Sequence, residues 1–395
     1  MMEYLKSYMQ PITVACAFFP VIAGLFTLPF VVKHYRKYGG IAIMRTIIVY
    51  SFILYLMCAF LLTVLPLPSK EAVMAMPDHP IGWIPYKDLY RGMQKVGLGF
   101  STITDLSVWK KFLKCADFLQ VMFNIVMTIP LGIYLRYYFR FTFRETVLMG
   151  FCASLFFEAT QYSALYGIYP KPYRYTEVDD LINNTLGAVI GYAIQPVICK
   201  FLPTREEIDE ISYEKGEHLT ILRRFFGFIL DIVLSNLFFA LIEMFIIPLN
   251  GVLVSTTVSV WFGFMFLYFI IIPCITRGRT VGQAILKLKT VSENGEKPKF
   301  RQIIWRSILL YCFEFFMLYM SGLLCVTYIS VVFIFNNTFK NMMIISALTL
   351  IPLSLMLGFI LYIVKKWNTL PHSHFSHTKE VAYGLPKRRT ESVND

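Results

Sequence analysis

The chain has 395 residues, of which 56% are hydrophobic and only 16% charged, with 36 Phe and a formal net charge of +12. A soluble globular or disordered protein is excluded by that balance, since typical domains carry about a quarter charged residues. Eight Cys without a single CxxC exclude a disulfide scaffold and a zinc ribbon as well.

A helix needs about 20 apolar residues to cross a bilayer. Stretches of that kind fall at 12–32, 41–65, 116–135, 146–166, 181–200, 225–247, 256–275, 307–335 and 343–364. The expected fold class is therefore all-α, a polytopic transmembrane helical bundle of about nine spans. The first stretch is too long for a signal h-region and lacks a small-residue cleavage site. Orientation follows from Lys and Arg. If 33–45 faces the cytoplasm, alternation places 136–144, 200–224, 276–306 and the segment from Lys365 on the same side, and these hold 26 of the 37 basic residues. The expected arrangement has the N-terminus outside and the C-terminus cytoplasmic, in a cell membrane. The positive balance then suits anionic headgroups rather than nucleic acid.

The charged run Thr204-Arg205-Glu206-Glu207-Ile208-Asp209-Glu210 separates five spans from four. Thr204 followed by Glu207 is a capping-box pattern, which predicts a short surface helix. The expected domains are 1–201, a charged linker 202–220, a second membrane domain 221–364, and a basic, disordered tail 365–395 that includes His372, His374 and His377.

Polar groups recur where lipid would penalise them. Span three contains Asn124 before Pro130-Leu131-Gly132, and span four contains Ser154, Glu158, Gln161 and Tyr162. Arg174 and Glu177 precede Asp179-Asp180 and Asn183-Asn184-Thr185, which run on to Gly187 and Gly191. Glu158, Gln161 and Tyr162 stand at i, i+3 and i+4, on one helix face. Gly187 and Gly191 make a small-xxx-small face for close helix approach. At 1.5 Å per residue, Asn124 and Glu158 lie about 12 Å in from the outer ends of their spans. Asn124, Ser154, Glu158, Gln161, Arg174, Asp179, Asp180 and Asn184 are therefore expected to form an outward-opening polar cluster. Three readings remain open: helix packing alone, recognition of a headgroup, and an ion or proton path.

These blocks resemble the VanZ-like family over roughly residues 45–200. Its loop appears as Trp83-Ile84-Pro85-Tyr86, with Tyr where Phe is usual. Asn124, Pro130, Leu131 and Gly132 follow, then Ser154, Glu158 and Gln161, then Arg174, Asp179, Asp180, Asn184, Thr185 and Gly187. The resemblance implies a cell-envelope protein and, from the family's namesake, a contribution to low-level teicoplanin resistance. The expected partners are membrane lipids, with a lipid-linked cell-wall precursor among the candidates. No cofactor and no metal are expected. An enzyme acting on a lipid headgroup, with Glu158 as base, rests on the carboxylate count alone.

From residue 219 the chain reads Arg223-Arg224 and then Asp231, seven residues beyond Arg224 and so on nearly the same helix face. The segment 276–291 follows, with Asn294-Gly295 as a turn. Ile285, Leu288 and Val291 are read as one side of an amphipathic surface element. This half resembles the RDD family through Arg224, Asp231, Gly278, Thr280, Gly282 and Gly295, with Gln283 and Ser292 replacing its usual Lys and second Asp. Independently of the family, Arg224, Asp231, Arg306 and Glu314 are expected to form a charged network near the cytoplasmic ends of two spans. Structural pairing and cation or proton handling are the two roles it leaves open, and an ion, proton or lipid transporter is the alternative reading of the whole chain.

Overall fold

The computed structural model describes residues 2–78, 81–250, 260–261, 263–312 and 371–384. The long helices are α1 (Met2–Tyr38), α2 (Ile43–Val64), α3 (Ala116–Tyr137), α4 (Phe143–Tyr162), α5 (Val178–Ile198), α6 (Arg205–Glu217) and α7 (Ile221–Asn250). Five segments are long and apolar enough to cross a membrane: Met9–Tyr38, Ile43–Val64, Ala116–Tyr137, Val178–Phe201 and Ile221–Ile242.

Nine spans were expected, and the described residues show five. The helix at the fourth expected position, α4, has 20 residues but opens on Phe-Arg-Glu-Thr and carries Glu158 and Gln161, so its hydropathy falls short. The expected span at 256–275 is represented by the shorter apolar helix Gly263–Ile275, with a π-turn at Leu267–Ile271. Residues 313–364, which hold most of the last two expected spans, lie outside the described residues.

The chain packs as two compact units, one of residues 1–26 and 43–209, the other of 27–42 and 210–395. In the first unit α3 and α5 meet at backbone distance. Any Cβ at Gly132 would strike the Ala188 carbonyl, one at Gly187 the Ile125 carbonyl, and one at Gly191 the Ile129 carbonyl. Small residues thus set the helix separation, as expected for bundles in lipid. Helix α4 begins at a capping box in which Thr142 and Glu145 satisfy each other's backbone N–H groups. The Thr204–Glu207 box starts α6 in the same way, with contacts of 2.8 and 3.3 Å. Buried Arg45 pairs with Asp209.

The second unit holds a short helix Val281–Ile285 and a two-stranded antiparallel sheet, β1 (Leu288–Ser292) with β2 (Thr378–Ala382), in the register Leu288↔Ala382 to Ser292↔Thr378. Two expectations change here. Ile285, Leu288 and Val291, expected on one side of an amphipathic surface element, are divided between the end of the short helix and β1, where Leu288, Thr290 and Val291 are buried. The segment 371–382, expected to be disordered, forms the helix Pro371–Phe375 and then β2. Its polar sequence hid a strand whose partner lies some 90 residues earlier, and no local pattern reports such pairing.

Candidate functional site

In the first unit, one end of the bundle contains a cavity of about 650 Å³. It is bounded by the last turn of α2 (Leu62, Thr63), the first turns of α3 (Gln120, Phe123, Asn124, Met127), the last turns of α4 (Glu158, Gln161), the segment before α5 (Arg174, Tyr175, Glu177) and the first turns of α5 (Asp180, Asn184). Because these helices alternate in direction, this end is opposite the one that carries Arg45, Arg136, Arg140, Arg144 and Lys200.

Six of the eight expected side chains line the cavity: Asn124, Glu158, Gln161, Arg174, Asp180 and Asn184. Two stand behind it. Ser154 is fully buried, donates to the Asp180 backbone oxygen at 3.0 Å and accepts from Asn184 Nδ2 at 3.0 Å. Asp179 accepts the Tyr86 backbone N–H at 2.9 Å, while the Tyr86 hydroxyl donates to Asn183 at 3.2 Å. Tyr86 is held at φ 58°, in the left-handed region that is costly for a side chain of its size, so Asp179 serves as the clamp for a strained loop. Its carboxylate is committed to that loop.

Asn124 Nδ2 donates to Asp180, Glu158 Oε2 accepts the Glu177 N–H at 3.2 Å, and Gln161 Nε2 donates to the Thr63 carbonyl at 3.1 Å. Arg174 donates to the Leu65 carbonyl. Two carboxylates were missing from the expected set. Asp88 comes from the first turn of the helix Lys87–Lys95, and Glu177 is held beside α5 by the bridge Gly82↔Glu177. The motif held Glu177 in plain view, but nothing local places Asp88 here.

Glu177 is pushed up to about 7 from its ordinary 4.5, first by burial and then by Asp180, Asp88 and Asp179. Glu158 lies against its backbone and Arg174 shares the cavity. A raised carboxyl value means that the folded state holds the proton more tightly. Its stabilising contribution is complete below pH 4.5 and disappears as pH rises through about 7. The melting temperature in detergent should therefore fall between about pH 5 and about pH 8, and Glu177→Gln should flatten that slope. A scan of both proteins at the two pH values checks this.

In the second unit Asp231 is buried and fully used. Oδ1 accepts the Gly282 N–H at 2.7 Å and the Tyr268 hydroxyl at 3.0 Å, and Oδ2 accepts the Thr280 hydroxyl at 2.5 Å. A Cβ on Gly282 would meet the Gly227 carbonyl, which explains glycine there. Arg306 pairs with Glu380 at 2.5 Å, both nearly inaccessible, and Arg224 lies 3.7 Å from the same carboxylate. Gln283 Nε2 donates to Glu380 at 2.7 Å. Glu314, the expected partner, lies outside the described residues. The network forms around Glu380 of β2, with Asp231 holding the loop beside it. Arg223, also unforeseen, is fully buried and donates to the Leu286 carbonyl at 2.6 Å and the Gly39 carbonyl at 3.3 Å.

Residues 52–202 match the VanZ/LLP1 family model, and residues 220–338 match the RDD family model. The chain is a VanZ-like module followed by an RDD module. No curated protein and no solved structure matches it. Together with the five apolar helices, the two matches make this a membrane protein.

The geometry assigns work to the motif residues of both modules. In the VanZ-like module, Asn124, Glu158, Gln161, Arg174, Asp180 and Asn184 face one cavity, while Gly132 and Gly187 bring the helices that carry them together. In the RDD module, Gln283 in the usual Lys position keeps a donor on Glu380, and Thr280 both caps the helix Val281–Ile285 and binds Asp231. Among the described residues no three His, Cys, Asp or Glu side chains are placed to hold a metal ion.

Proposed function

We propose that this is a multi-pass cell-envelope membrane protein. Its VanZ-like module binds a polar headgroup, of a lipid or a lipid-linked cell-wall precursor, at the outer face and thereby alters glycopeptide sensitivity. One observation carries the reading: six polar side chains from α3, α4, α5 and the segment before α5 converge on one cavity at one end of the bundle. An outer-face position for the cavity is supported by the whole-chain count, in which 26 of the 37 Lys and Arg fall in the segments that alternation puts on the opposite side. Polar groups at this depth are costly unless they face a wet cavity or a ligand. The envelope context and the link to teicoplanin come from the family resemblance.

The test is a series of Glu158→Ala, Asp180→Ala and Asn184→Ala, expressed at normal level in a strain lacking the native gene. Each is expected to shift teicoplanin susceptibility toward that of the deletion strain. Unchanged susceptibility in all three, beside a sensitive deletion, removes the proposed role. A transport role through Asp231 gains no support from the geometry, because both carboxylate oxygens are occupied in holding Thr280 and Gly282.

A further inference from the structure

Three side-chain amides at the cavity are oriented by what they touch. The Thr63 carbonyl only accepts, so Gln161 must turn its NH2 group to it and its Oε1 away. Ser154 spends its one hydroxyl proton on the Asp180 backbone oxygen, which leaves the Ser154 oxygen to accept; Asn184 must therefore present NH2 to it. Asn124 turns its NH2 to the Asp180 carboxylate in the same sense.

These orientations strand two acceptors. Gln161 Oε1 and Asn184 Oδ1 have no hydrogen-bond partner, although the residues are only 6% and 2% exposed. Buried polar atoms in native structures are nearly always satisfied, and an orphan calls for an explanation. Both residues line the cavity, beside the carboxyl groups of Glu158, Glu177, Asp180 and Asp88. Against these the lining offers one guanidinium, Arg174, which already donates to the Leu65 carbonyl.

A phosphate would face four carboxyl groups against one guanidinium in such a lining. A primary ammonium group supplies what is lacking: three N–H donors, no acceptor and a positive charge. We propose that the cavity takes a protonated primary amine, with Glu158, Gln161 Oε1 and Asn184 Oδ1 accepting its N–H groups. The proposal rests on the headgroup-binding function and narrows that headgroup to the amine-bearing class. An ethanolamine lipid and the side-chain ammonium of a lysine-containing peptide carry the same group. The acceptors are spread over two helices, an arrangement suited to an organic cation at the end of a larger molecule.

The full-length protein in detergent is offered equimolar phosphatidylethanolamine, phosphatidylcholine and phosphatidylglycerol, and retained lipid is read by native mass spectrometry. Nα-acetyl-lysine amide is then added as a water-soluble competitor. Phosphatidylethanolamine should be retained at least about tenfold over phosphatidylcholine, which has the charge but no ammonium N–H, and over phosphatidylglycerol, which has no cation. Gln161→Met and Glu158→Gln should each reduce that preference about tenfold, with the melting temperature as control for folding. Displacement by the lysine amide supports a soluble or peptide amine as the natural source, and its failure with the preference intact supports the lipid. Equal retention of the three lipids, or preference for phosphatidylglycerol, overturns the amine while leaving headgroup binding standing. A folded wild-type protein that retains none of the lipids and is not stabilised by the lysine amide overturns both. The wild-type ranking decides the matter even where a variant fails to fold.

Discussion

Glu380→Ala should destabilise the second unit by about 3–5 kcal/mol, the cost of leaving a buried charge without its partner. Arg306 and Glu380 are 4% and 2% exposed, and among the described residues the variant leaves the guanidinium the Ser373 and Thr378 hydroxyls. Gln283 loses its acceptor in the same step. Burial by itself would raise the Glu380 value; Arg306, His372 and Arg224 outweigh it and hold the carboxyl at about 2, below its ordinary 4.5. A lowered carboxyl value favours the folded state above pH 4.5, and the contribution is lost as pH falls toward 2. His372, pushed down to about 4 from 6.5 by burial and Arg306, acts in the same direction, since its contribution is present above 6.5 and disappears as pH falls through 4. Amide exchange along β1 should accelerate on the order of 10²–10⁴-fold in Glu380→Ala at neutral pH. Wild-type protein should show the same loss of protection, relative to the intrinsic exchange rate at each pH, only in acid. Unchanged exchange at Lys289 and Val291 would mean that the ion pair does not hold the sheet.

Gly191→Val should have the second large effect, about 1–3 kcal/mol or more, through overpacking. The atom in the way is the Ile129 carbonyl, part of the backbone of α3, so no side chain can swing aside. The helices must separate instead. Asn124 stands on α3 and Asp180 and Asn184 on α5, so separation breaks the Asn124–Asp180 contact and disperses the cavity. A lower melting temperature and loss of headgroup binding should therefore appear together. Gly24→Ala is the control, because nothing lies within 4 Å of an added Cβ there. Equal behaviour of the two variants would contradict the close α3–α5 contact.

The contrast between Glu158 and Glu380 shows which features a linear reading reaches. Glu158 was legible because it sits in an apolar run with Gln161 one turn away, and helical spacing puts both on one face without reference to the rest of the chain. The same holds for the Thr204–Glu207 cap and the Gly187–Gly191 face, whose contacts reach only one turn or one neighbouring helix. Glu380 sits in a polar stretch with no periodicity, and its partner Arg306 lies 74 residues earlier. Asp179 looked like a site residue, yet it answers to Tyr86, 93 residues away.

Hydrophobic content, the periodicity of the spans and the order of the motif blocks established from the sequence alone a helical membrane protein with a VanZ-like half and an RDD half. Each of those signals is carried by residues within a few turns of one another. The fold alone decided which carboxylates line the cavity, which are spent on loops, and which way each amide points. Those outcomes depend on donors and acceptors that meet only once distant segments have packed together.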